Sequence, residues 1–221
     1  MLTIHLDPLE GLFIEEKQGG RSVRKYVNFE DFEEIFKKNI NIDTGILPKG
    51  AIYYSRENGN TIVILQRDPQ KTEVSYHRRG SSGVVKYNIP TPYSVFGFIV
   101  RERRIVDSFL VASQMPILEN TTEVYKFPFG NVFDDFRICW GRTTLPTIRS
   151  PRFLAGLPNL FYAAPFNGDL SENVFQGYHY DTNNLEHFFE ELNGREMFPH
   201  QKLIPVGTFE DFLRQVRRRV R

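Results

Sequence analysis

Cysteine is almost missing from this chain. Cys139 is the only one in 221 residues, which excludes an intramolecular disulfide and any zinc site built from several thiolates. That leaves a buried structural thiol or a reactive one. Long apolar runs are missing too. None approaches the ~20 residues needed to span a bilayer, and the N-terminal stretch MLTIHLDPLEG has no basic segment followed by an apolar core. The expectation is a cytoplasmic protein without membrane contact. Charge bias is absent as well. With 28 basic and 27 acidic residues the formal net charge is +1, so no global field draws the chain to nucleic acid or an anionic surface. The five histidines, at 5, 77, 179, 187 and 200, fit no metal-ligand spacing, and neither a metal nor a cofactor is expected.

What is present is an ordinary globular composition, 40% apolar and 25% charged, with an unusual load of 20 Phe and 10 Tyr. The core should therefore be aromatic. Short alternating runs near Leu2 to Leu6, Leu12 to Ile14 and Val23 to Val27 read as strands. Asn28 then caps FEDFEEIFKKN, in which Phe29, Phe32, Ile35 and Phe36 recur at helical spacing. Six β-rich runs follow, at 51–56, 61–67, 72–77, 84–89, 93–100 and 104–113. Connections this short imply an antiparallel meander. From about 119 to 180 the chain is irregular and rich in Pro, Gly and Asn. Two amphipathic helices close it, NLEHFFEEL behind Asn183 and FEDFLRQVRRRV behind Thr208. The reading is an α+β fold, with strands and a helix in 1–45 packed on a main domain at 46–221.

The informative stretch runs Phe127-Pro128-Phe129-Gly130-Asn131-Val132-Phe133-Asp134-Asp135-Phe136-Arg137-Ile138-Cys139-Trp140. It resembles the signature of ubiquitin-conjugating enzymes, in which His-Pro-Asn, an aliphatic, an aromatic and an Asp-Gly turn lead to an aliphatic and the catalytic Cys. Asn131 to Cys139 keeps that spacing. Phe129 and Gly130 stand where His and Pro are usual, and Phe136 stands where Gly is. The segment is more closely similar to the B-protein family of the bacterial PRTRC systems, a prokaryotic branch encoded on mobile elements. There Asn-Val, an aromatic, Asp-Asp, a residue, Arg, an aliphatic and Cys follow one another. Parallels in order extend over roughly residues 45 to 212.

The resemblance implies a ubiquitin-conjugating-enzyme-like fold, with Cys139 as thioester carrier and Asn131 stabilising an oxyanion. It also implies a ubiquitin-like protein and a ThiF-type activating enzyme as partners, with a JAB-type protease nearby. Asp135, Arg137 and Trp140 are the residues expected to shape the site, and Arg137 and Arg142 flank the thiol. A thiol suits covalent carriage because its thiolate is strongly nucleophilic and its thioester stays reactive to amines. Asp134 and Asp135, adjacent on a turn, are expected to point apart rather than act as a carboxylate pair. Two alternatives stay open. One is a catalytically silent binding module of the same fold. The other is a nucleic-acid-associated protein of a mobile element, using Arg217, Arg218 and Arg219, whose simpler reading is complementation of a helix dipole.

Overall fold

The computed structural model describes residues 2–7, 11–18, 21–28, 30, 44–78, 83–179 and 184–220. Backbone contacts divide the chain into two compact units, Met1–Gly45 and Ile46–Arg221. In the first, β1 (Leu2–Asp7), β2 (Gly11–Gln18) and β3 (Arg21–Tyr26) form an antiparallel sheet. A cross-strand row places His5 opposite Phe13 and Phe13 opposite Tyr26. The His5 and Phe13 rings stack at 4.7 Å, the kind of pair that stabilises a ladder. The Asn28 side chain accepts from the Glu30 N–H at 3.1 Å, as a helix cap does. The rest of the helix expected over 29–39 lies outside the described residues.

In the second unit a six-stranded sheet has the order β11-β10-β9-β8-β5-β4. Its strands are β4 (Ala51–Glu57), β5 (Asn60–Arg67), β8 (Tyr93–Arg101), β9 (Arg104–Ser113), β10 (Glu123–Tyr125) and β11 (Pro205–Thr208). Two-residue turns join β4 to β5 through Asn58 and Gly59, and β8 to β9 through Glu102 and Arg103, all four at positive φ. Such turns match the twist of the strands they connect.

The meander is not simply sequential. β5 pairs with β8, while β6 (Lys71–His77) and β7 (Val84–Pro90) form a ladder of their own. The registers nevertheless agree. Arg67 faces Ser94, the Thr91 N–H donates to Gln70 O at 3.0 Å, and Lys71 faces Pro90. Residues 61–77 and 84–100 are therefore the two arms of one long hairpin, bent where Pro69 and Pro92 interrupt the ladder. Arg67 pins the bend: its guanidinium donates to Thr72 Oγ1 at 2.7 Å and Thr91 Oγ1 at 2.9 Å, and lies 4.3 Å from the Tyr162 ring centroid.

Both faces of the six-stranded sheet are covered, so its central strands read as unbroken apolar runs rather than alternating ones. Val63, Leu65, Phe96 and Phe98 pack with α1 (Leu157–Ala163) and α2 (Asn184–Leu192). Ile62, Ile64, Val95 and Ile99 pack with α3 (Phe209–Arg217). As the spacing indicates, α2 buries Leu185, Phe188, Phe189 and Leu192, and α3 buries Phe209, Phe212, Leu213 and Val216. Thr208 caps α3 reciprocally with Asp211. Gly97 lets α3 approach: a Cβ there would meet Ile64 Cδ1 at 3.2 Å and Phe212 Cζ and Val216 Cγ2 at 3.3 Å. The irregular stretch holds three elements its sequence does not announce, the three-residue strand β10, the 3₁₀ turn Pro151–Gly156 and α1. The two helical elements carry proline at their first or second position, Pro151 and Pro158, and are too brief to show a period. Among the described residues no helix is long and apolar enough to cross a membrane.

Candidate functional site

Residues 131 to 139 make a small hairpin. Val132 and Ile138 form an antiparallel bridge, flanked by Phe133 N–H donating to Arg137 O and Cys139 N–H donating to Asn131 O, each at 2.8 Å. Asn131 and Cys139 are thus joined by one backbone hydrogen bond across the open end of the hairpin. The hairpin leans on β9 through Ile138 N–H to Ser108 O and Leu110 N–H to Phe136 O. Two residues of this stretch lie at positive φ, Asn131 at 55° and Phe136 at 68°, as does Gly130 just before it at 81°. Phe136 occupies the place of the usual glycine in a backbone conformation that glycine adopts freely and phenylalanine does not. Phe129, in the place of the usual histidine, is fully buried and packs against Phe127, Phe166, Phe189 and Phe198.

Cys139 is half-buried and free. It opens on a cleft of about 470 Å³, lined also by Asn131, Trp140 to Thr143, Ala164, Pro165, Asn167, Asp169 and Leu170. Trp140 is a wall and not a seal. Its Nε1 donates to Ser108 Oγ at 2.7 Å, and its ring meets Phe161 edge-on at 6.0 Å. The opposite wall is held by backbone. Phe166 N–H donates to Ser75 O, His77 N–H donates to Phe166 O, and Asn131 Nδ2 donates to Pro165 O at 3.1 Å. The sequence pattern singles out Cys139, Asn131 and Trp140 but misses this second wall. Its one local signal is the Asn167-Gly168-Asp169 turn, where the Asp169 N–H donates to Asn167 Oδ1 at 2.9 Å.

The two aspartates diverge, as expected. Asp134 is exposed and pairs with Lys126 at 2.8 Å. Asp135 accepts from Arg137 Nε at 2.7 Å and from Arg219 Nη2 at 3.0 Å. Partial burial works to raise the Asp135 carboxyl, but the Arg137 hydrogen bonds and the Arg219 charge prevail and hold it below the usual carboxylate range. Arg137 is thereby committed to Asp135 and to the face of Phe133, 5.5 Å from its centroid, while Arg142 is the arginine that lines the thiol cleft. Of the C-terminal arginines, Arg217 pairs with Glu57 at 3.1 Å and Arg219 with Asp135 and Asp107. Arg218 is exposed. Among the described residues no three His, Cys, Asp or Glu are grouped to hold a metal ion.

The family model described as prokaryotic E2 family D matches residues 31–206, which include the hairpin, both walls of the cleft and the whole of the long bent hairpin. No curated protein and no solved structure matches the chain.

Proposed function

The chain belongs to prokaryotic E2 family D, and from that premise we propose that it is a transthiolation carrier for a ubiquitin-like protein, with Cys139 as the acceptor. The observation that carries this reading is the placement of a half-buried thiol beside Asn131, joined to it by a backbone hydrogen bond and lining the same open cleft. In the first step the Cys139 thiolate attacks the thioester carbonyl of a charged activating enzyme. A new S–C bond forms and the activating enzyme's thiolate leaves. In the second, an acceptor amine attacks the Cys139 thioester, the C–N bond forms, the amine proton passes to solvent, and Cys139 departs as thiolate. Each step passes through a tetrahedral oxyanion. The Asn131 amide has two N–H donors; Pro165 O takes one, and the other is left for that oxygen.

A ubiquitin-conjugating-enzyme-like fold goes with this reading, supported by the order of meander, cysteine hairpin and helices. Its setting is cytoplasmic, in a PRTRC-type system of a mobile element, where a ThiF-type activating enzyme supplies the modifier and a JAB-type protease removes it. The near residue-for-residue likeness of Asn131 to Cys139 supports that setting. One observation favours a second reading, a silent binding module: Phe129 fills the histidine position as a core side chain. Incubation with activating enzyme, ubiquitin-like protein and ATP separates the two. The carrier gives an adduct on a non-reducing gel that thiol reagent removes. The binding module gives a non-covalent complex alone, beside a demonstrably charged activating enzyme.

A further inference from the structure

The C-terminal helix lies beyond the stretch matched by the family model, which ends at residue 206, yet its end reaches the cysteine hairpin. Arg219 sets its guanidinium between two carboxylates, with Nη2 3.0 Å from Asp135 Oδ2 and Nε 3.8 Å from Asp107 Oδ2. Asp135 also accepts from the Arg137 N–H at 3.3 Å and from Arg137 Nε at 2.7 Å. It therefore clips the hairpin turn to itself while it is held by Arg219, two residues beyond α3. The next residue, Phe136, packs against the cluster that includes Phe212, Val216 and Val220. A bulky side chain in the left-handed region is strained and persists only where its surroundings over-determine it. Here those surroundings are the ionised Asp135, the Leu110 N–H on the Phe136 carbonyl and the apolar face of α3.

We propose that Arg219 is a positioning residue for Cys139: through Asp135 and the 133–137 turn it holds the hairpin register that sets the thiol beside Asn131. The catalytic consequence rests on the carrier reading, whereas the structural one does not. The test compares full-length wild type, Arg219→Gln and Arg219→Lys in two measurements. The first is amide hydrogen exchange at Phe133, Phe136 and Cys139, whose N–H groups close the hairpin, with Val63 and Phe98 in the central strands as references. The second is the rate at which a charged activating enzyme loads each protein.

In Arg219→Gln the three hairpin amides should exchange about fivefold faster, the upper end for a partly exposed ion pair. Val63 and Phe98 should not change, loading should fall, and Arg219→Lys should recover most of both. Hairpin exchange equal to wild type in the Gln variant overturns the proposal, as does acceleration that includes Val63 and Phe98, or faster hairpin exchange with undiminished loading. If wild type never loads but the hairpin alone is loosened in Arg219→Gln, the strap stands and the carrier reading is what fails.

Discussion

The amide of Asn131 has two possible uses, a clamp on the cleft wall through Pro165 O and a donor to an oxyanion. Asn131→Asp separates them, since it keeps the size, removes both donors and sets a carboxylate against the Pro165 carbonyl. Discharge of a loaded thioester to free amine is expected to slow by about 10²-fold, the scale for losing one oxyanion donor, with loading affected less. A single-turnover chase measures both. Unchanged discharge with a lowered melting temperature would leave Asn131 as a clamp only. Asn131 and Cys139 are legible in the sequence because the whole device is contiguous, nine residues that form their own hairpin. Pro165 to Leu170 are not. They reach the cleft through backbone bonds between Phe166 and β6, which leave no side-chain signature, from a part of the chain some thirty residues further on.

Six strands of the second unit follow from apolar runs and turn residues and begin and end within a residue or so of those runs, whereas β10 and β11, three and four residues long, have no such run to announce them. Pairing does not follow in the same way. Nothing local in β5 specifies β8 over β6 as its neighbour; that choice comes from the bend at Pro69 and Pro92 and from burial on both faces. The bend depends on Arg67, and Arg67→Met should lower stability by about 1–3 kcal/mol by leaving the polar groups of Thr72 and Thr91 short of a partner. Urea unfolding should show a lower midpoint at constant slope. The amides of Phe166 and His77 should exchange faster, because the cleft wall hangs on β6. α3 offers a second test at this scale. Gly97→Leu puts a side chain where even a Cβ meets three neighbours at 3.2–3.3 Å. It should cost about 1–3 kcal/mol of stability through overpacking, with Gly97→Ala milder in the same unfolding assay.

For the molecule as a whole, buried tyrosines set an alkaline limit: burial raises Tyr76 and Tyr162 as well as Tyr87 and Tyr125. Burial first, and then a hydrogen bond donated to a carboxylate, pushes Tyr87 up to about 12 beside Glu186 and Tyr125 up to about 12 beside Glu123. The folded-state values lie above the unfolded ~10, so the unfolded chain loses these protons first. Their contribution is complete below about pH 10 and is lost as pH rises through 12. Stability should therefore fall between pH 10 and 12, and Tyr87→Phe should flatten that fall in urea titrations at stepped pH. Composition indicates an aromatic globule, and Phe127, Phe129, Phe161 and Phe166 form one connected cluster beneath the cleft. It does not indicate that Arg217 and Arg219, on the surface, pair with Glu57, Asp107 and Asp135, since ion pairing across elements is invisible until the elements are placed. The central claim is that Cys139 carries the modifier, and peptide mapping of the loaded protein by tandem mass spectrometry tests it most directly. The expected result is the modifier's C-terminus on Cys139 as a thioester in wild type and as a thiol-resistant ester in Cys139→Ser; a modifier found only on lysine, or none beside a charged activating enzyme, would contradict it.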